Sequence, residues 1–210
     1  GAGCGKAARP VLRGVSPVRD LPTYQNFPME LQKKLEQIRR SYMWYVIQVR
    51  TGSEDNIRLQ CEKNISPNIL KDCFIPYYEE RRHLKGEWRT LKKILFPGYV
   101  FLASEELDRL FMNLKQVSGL TKLLGTGDDV VPLTEEEIDF LTSFGGDDQV
   151  VPISEGIIEN SKVIVMSGPL AGKEGYIKKI DRHKRKAYLE LPMFGRIQRI
   201  QVGLEIVSKT

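Results

Sequence analysis

The sequence predicts an α+β chain of two units: helices packed on a mostly antiparallel sheet as a sandwich, then a small β-barrel. Three observations predict it. Between residues 43 and 144, β-branched and aromatic runs alternate with segments of helical period. The stretch FGGDDQVVPISEG (Phe144–Gly156) then breaks the pattern with Gly and Pro and no sustained period. After it, short alternating runs follow closely, separated by Gly-containing turns, as in small all-β domains. The expected organisation is an extension over 1–42, a first domain over 43–144, a linker over 145–155 and a second domain over 156–210.

Residues 1–42 fit neither unit. GAGCGKAARPVLRGVSPVRDLPTYQNFP scatters Gly and Pro without an apolar period, as a flexible or appended segment does. MELQKKLEQIRR then sets Leu31, Leu35 and Ile38 at spacings that permit a short amphipathic helix. From Met43 the elements sharpen. WYVIQVR (Trp44–Arg50) is a strand. Ser53 is placed to cap a helix, with Glu54 and Asp55 in its first turn and Ile57, Cys61 and Ile65 as its buried stripe. DCFIPYYEERR and WRTLKKILFPGYVFL read as strands joined by the hairpin loop HLKGE. Ser104 starts a second helix with Leu107, Leu110, Phe111 and Leu114 on one face. TKLLGTGDDVVPL is a turn-rich strand, and Thr134 with Glu137 fits the capping box of a third helix. In the second unit the strands are KVIVM, GYIKKID, KAYLEL and RIQRIQV.

Charge divides the chain as the elements do. Net charge is +5 over residues 1–42, −6 over 43–155 and +6 over 156–210. A basic module beside an acidic one points to different partners for the two. Cys4, Cys61 and Cys73 are an odd set without CxxC spacing, so neither a disulfide framework nor a zinc site is expected. No apolar run reaches the ~18 residues of a membrane span, and no signal peptide precedes the first strand. A cytoplasmic, monomeric protein with no membrane partner is expected.

Catalysis finds no footing. The two histidines, His83 and His183, both lie in basic stretches that supply no carboxylate to orient the ring. GxSxG, HExxH and phosphate-loop patterns are absent, and Gly168, Gly172 and Lys173 lack the spacing of a phosphate-binding loop. The acidic run Glu135–Glu137 is accounted for as a helix first turn. No catalytic residue, metal or cofactor is expected, and the chain is read as a non-enzyme.

Two stretches carry more information. In ILFPGYVFL (Ile94–Leu102), Pro97–Gly98 interrupts a strand, and alternation puts Tyr99 and Phe101 on one face with Val100 and Leu102 on the other. A sheet covered by helices on one side leaves its second face to a partner, for which aromatic side chains are suitable anchors. In VIVMSGPLAGKEGYIKKID, glycines at 168, 172 and 175 follow a β-branched run. These stretches, with WYVIQVRTGSE before them, resemble the NusG family of transcription elongation factors, in order and with about the right separation. The resemblance covers roughly residues 43–208. It implies an NGN sandwich, a flexible linker and a five-stranded, SH3-like KOW barrel. It further implies docking of the NGN domain on the clamp helices of the largest RNA polymerase subunit. Carried over by position, Phe96, Tyr99 and Phe101 are the expected anchors, with Tyr45 and Val46 beside them.

The remaining feature is KKIDRHKRK (Lys178–Lys186), in which six of nine residues are Lys or Arg. Between two strands it becomes a hairpin tip, where crowded cations repel one another unless a polyanion relieves them. Arg182, His183, Lys184 and Arg185 at the turn can stack on bases or grip them bidentately. Lys178, Lys179 and Lys186 would follow phosphates, and Lys173, Arg196 and Arg199 would extend the patch. Within the family the run resembles LoaP, a specialised antiterminator paralogue, which implies an RNA hairpin of the nascent leader as partner, with DNA of the transcription bubble in reach. The other reading is a general NusG-type factor whose KOW barrel recruits a ribosomal protein or Rho.

Overall fold

The computed structural model describes residues 42–123, 125–126, 129–146, 148–160 and 162–209. The extension and helix expected before Met43 lie outside the described residues. The first sheet has the order β2 (Asp72–Phe74), β5 (Tyr99–Ser104), β1 (Met43–Val49), β6 (Leu120–Leu123), with every pair antiparallel. A small hairpin, β7 (Gly125–Thr126) and β8 (Asp129–Val130), follows.

Side-chain alternation along β1 and β5 decides what each face of this sheet does. Tyr45, Ile47, Val49, Val100 and Leu102 face α1 (Glu54–Asn64) and α2 (Leu107–Leu114), where they bury Ile57, Cys61, Leu110 and Leu114. Trp44, Val46, Tyr99 and Phe101 face the other way. Both helices follow their apolar periods, although Phe111 of α2 turns outward and is 43% exposed. Ser53 precedes α1 without capping it by side chain; its hydroxyl donates back to the Arg50 carbonyl at 2.5 Å.

Two runs that read as single strands are each cut by a proline. Pro76 separates β2 from β3 (Tyr77–Leu84), and Pro97 separates β4 (Glu87–Ile94) from β5. Proline lacks the N–H that a continuous ladder needs. At the second break, the Tyr99 N–H donates to the Phe96 carbonyl at 3.2 Å, and Gly98 takes φ +86°, as the third position of a type II turn requires. Glu54 holds this turn. Its carboxylate, 1% exposed, accepts from the Gly98 N–H at 2.7 Å and from the Gly52 N–H at 2.7 Å. β3 and β4 form a long hairpin closed by Lys85 and Gly86, both at positive φ.

Residues expected as a linker carry structure. Val150–Val151 form β9, which pairs parallel to Tyr77 and Tyr78 of β3. Before it, α3 (Glu135–Gly145) starts at a complete capping box: Thr134 Oγ1 accepts from the Glu137 N–H at 3.3 Å, and Glu137 Oε2 accepts from the Thr134 N–H at 2.9 Å. Its Leu141 and Phe144 bury on the aromatic side of the first sheet.

The second unit is one five-stranded sheet of order β11 (Lys162–Ser167), β10 (Ser154–Glu159), β14 (Arg196–Lys209), β13 (Lys186–Met193), β12 (Ile177–Asp181). β14 serves both halves: it pairs antiparallel with β13 as far as Gly203, then parallel with β10 from Leu204. The fold is thus the expected α+β sandwich followed by a small β domain. Among the described residues, no helix is long and apolar enough to cross a membrane.

Replacing Glu54 by Ala would strand the buried Gly98 N–H at the Pro97–Gly98 turn and remove the acceptor of the Gly52 N–H in the loop before α1. The expected cost is about 2–3 kcal/mol. Thermal unfolding should show it as a fall in Tm of roughly 5–10 °C for a chain of this size.

Candidate functional site

The aromatic face of the first sheet is assembled from β1, β2, β5 and the segment just before β5. Phe96 precedes the type II turn, Tyr99 and Phe101 follow it on β5, and Phe74 comes from β2. Phe74 stacks on Phe101 at 5.3 Å between centroids, Trp44 meets Phe74 edge-on at 5.0 Å, and Phe96 lies 5.8 Å from Phe101. Val46 belongs to this cluster; Tyr45 does not. Because it alternates with Val46, Tyr45 sits beneath the helices on the opposite face at 1% exposure, and burial raises its hydroxyl pKa. Trp44 and Phe74 take the place that the sequence reading gave to Tyr45.

This face was expected to stand open, but the second domain covers it. Phe194, between β13 and β14, places its ring 5.5 Å from Phe96, 5.4 Å from Tyr99 and 5.8 Å from Phe101. Phe194 and Gly195 have φ +59° and +67°, so a two-residue turn carries the ring at its tip. Glu137 Oε1 accepts from the Phe194 N–H at 2.6 Å, so one carboxylate both caps α3 and holds the incoming turn. The Arg196 guanidinium donates to the Tyr99 hydroxyl. Beside this contact, a groove of about 590 Å³ runs between α3 and the β13–β14 hairpin, lined by Phe140, Tyr176, Pro192 and Ile197 among others.

The basic run forms the turn between β12 and β13, as expected, but its cations divide into two groups. Arg182, His183 and Lys184 are exposed at the tip, and Lys178 and Lys179 are exposed on β12. Asp181 shapes the turn by accepting from the Lys184 N–H at 2.9 Å; that bond, with the neighbouring cations, holds its carboxyl below the usual range. Lys184 also reaches Asp181 at 3.7 Å.

Arg185 and Lys186 instead face the first domain. The Lys186 ammonium pairs with Glu80, a carboxylate 1% exposed that also accepts from the Tyr78 hydroxyl at 3.3 Å. Arg82 Nε stands 3.8 Å from the other oxygen of Glu80. Burial, then the Glu80 charge, raises the Tyr78 pKa. The Arg185 guanidinium lies 3.8 Å over the Trp88 ring of the β3–β4 hairpin and pairs with Glu205 at 2.6 Å. Glu205 also meets Arg81 at 3.4 Å.

The other predicted cations are dispersed. Lys173 is half-buried in the β11–β12 connection, Arg199 is paired with Glu190 at 3.0 Å, and Arg196 lies at the aromatic contact. The turn and β12 therefore form the cluster, while Arg196 and Arg199 belong to another part of the domain. Sequence reasoning missed Phe194, Glu80, Trp88 and Glu205. Phe194 carried a signal, since an aromatic residue before Gly between two alternating runs is unusual for a turn that favours Asn or Asp. Glu80 and Glu205 carried none, because the partners they reach across the two domains, Lys186 and Arg81, are more than 100 positions away. Among the described residues, no group of three or more His, Cys, Asp or Glu could hold a metal ion.

Residues 42–142 match the family model for transcription termination factor NusG, and residues 159–190 match the KOW motif. The transcription termination/antitermination proteins NusG of Staphylococcus aureus (strain Mu50) and Staphylococcus epidermidis are each 29% identical over 174 residues, covering 79% of this chain and 94% of theirs. A Thermotoga maritima NusG structure described under domain interaction superposes with a TM-score of 0.53 at 21% identity, covering 79% of this chain and 94% of that one. That likeness extends the match to the fold.

Gly203 tests the contact between domains. A Cβ there would strike the Glu79 carbonyl of β3 and the Ile153 side chain. Gly203→Ala should therefore force β14 away from the β3–β4 hairpin. Trp88 emission should shift to the red as Arg185 leaves its ring, and the radius of gyration measured by small-angle scattering should rise.

Proposed function

We propose that this chain is a NusG-type transcription termination/antitermination factor, which its matches to the NusG family model and the KOW motif support, and that it is a specialised processive antiterminator of the LoaP kind. In this reading the first domain docks on the clamp helices of RNA polymerase through Phe96, Tyr99, Phe101 and Val46, joined by Trp44 and Phe74. The second domain binds an RNA hairpin in the nascent leader. Arg182 and His183 read or stack on bases, and Lys178, Lys179 and Lys184 follow phosphates.

The observation that carries the RNA half is the exposed cluster of Arg182, His183 and Lys184 on one turn, flanked by Lys178 and Lys179. Such a cluster on a rigid hairpin matches the electrostatic footprint of nucleic-acid binders. The polymerase half is supported by an aromatic surface of five rings that belongs to the first sheet yet lies on the side away from α1 and α2. Docking there requires the second domain to move aside, because Phe194 fills the same space.

One observation favours a second reading, in which the barrel recruits a protein as a general NusG-type factor does. Ile164 and Met166 on β11, an edge strand, are 40% and 64% exposed. An apolar edge of this kind suits a protein partner.

Salt titration of RNA binding by the full chain separates the two readings. Specific recognition predicts tighter binding to a structured leader hairpin than to a scrambled one, and a cost of about 1–3 kcal/mol for Arg182→Ala if that side chain reads a base. Equal affinity for both RNAs would favour the protein-recruiting reading. Tyr99→Ser should abolish co-purification with core RNA polymerase and leave hairpin affinity no weaker than that of the wild type.

A further inference from the structure

Strand β13 is fastened to the first domain at both ends. Lys186, its first residue, is paired with Glu80, and Arg185 just before it lies on Trp88. Phe194, just after its last residue, sits among Phe96, Tyr99 and Phe101. Eight residues of strand separate the two attachments, about 26 Å at the usual rise. The basic end and the aromatic end are therefore too far apart to touch, yet neither can leave the first domain without disturbing the other.

We propose that RNA is the ligand that unlocks the aromatic face, because Arg185 and Lys186 directly continue the exposed basic turn and at the same time form part of the clasp that holds the domains together. This inference rests on the RNA reading above. In the closed form, Arg182, His183 and Lys184 are exposed and meet RNA first. Arg185 and Lys186 are withheld by Trp88, Glu205 and Glu80. An RNA phosphate offers each of them a substitute anion, and the acidic Glu80 and Glu205 are placed where they repel that phosphate.

The chemistry of the clasp suits a reversible exchange. A buried ion pair gains little net free energy over its two hydrated ions, so Lys186 and Glu80 can separate at modest cost if Lys186 finds another anion. RNA engaged by the full set of cations would then bind the open form better than the closed form. By linkage it must shift the population toward the open form, in which Phe96, Tyr99 and Phe101 are uncovered. The complete RNA site and the complete docking face become available together.

Phe194→Asp gives a test that simple electrostatics would answer in the opposite direction. The substitution expels the ring from its cradle, at the end of β13 remote from the basic turn, and adds a negative charge to the RNA-binding domain. Without coupling, RNA affinity should stay the same or fall. With coupling, the apparent Kd falls, by up to about tenfold if only one molecule in ten is open.

The probe is the structured leader hairpin that the wild type binds best, titrated against full-length wild type and Phe194→Asp at one salt concentration. Small-angle scattering confirms separation of the domains; if Phe194→Asp stays compact, the Phe194→Asp/Glu80→Gln double variant replaces it. Tighter binding by the opened variant is the expected result. Unchanged or weaker binding by an opened, folded variant overturns the coupling and leaves RNA recognition standing. Absence of binding by both proteins overturns the RNA reading itself, and the coupling with it.

Discussion

Phe194 holds a left-handed backbone position, φ +59°, so that its ring can enter the space between Phe96, Tyr99 and Phe101. A bulky residue in that conformation costs about 1–3 kcal/mol, which persists only where the surroundings compensate. Here three aromatic rings and the Glu137 carboxylate do so. The insertion joins the two domains into one apolar core that runs from Trp44 on β1 to Leu204 on β14.

The second attachment is of a different physical kind. Around Lys186, Arg185, Glu80, Glu205, Arg81 and Trp88, the contacts are ionic or cation–π. Such contacts confer register and are exchangeable for other ions, whereas aromatic burial is exchangeable only for another apolar surface. The two ends of β13 are thus matched to two chemically distinct competitors, an anion at one and an apolar protein surface at the other. Gly203 allows this close approach, since β14 passes so near the Glu79 carbonyl that no Cβ fits.

Much of the fold was legible in local pattern. The β1 and β5 alternation, the helix stripe of Ile57, Cys61 and Ile65, and the Thr134–Glu137 capping box are properties of neighbouring residues, and the structure shows each of them. Pro76 and Pro97 were visible as well, but their consequence, the splitting of long runs into β2–β3 and β4–β5, depends on which N–H groups a ladder needs. The site was legible only in part. Tyr99 and Phe101 share a face as alternation requires, and Phe96 joins them across the Pro97–Gly98 turn. Tyr45 falls on the other face for the same reason, one residue out of phase with Val46. What covers that face depends on how β13 and β14 dock on residues about 100 positions earlier; the aromatic at turn position 194 is a local oddity that does not say where it docks. The same holds for Lys186: the residues just before it, Lys184 and Arg185, are cations, while its actual partner is a buried glutamate of the other domain.

Phe194 occupies the space that a partner of the aromatic face would have to enter. The most direct measurement is the affinity of the full chain for core RNA polymerase in the absence of RNA, compared between wild type and Phe194→Asp. The account predicts that the variant binds more tightly, by about tenfold where nine molecules in ten are closed. Equal affinity, with the variant shown to be folded and its domains apart, would contradict it.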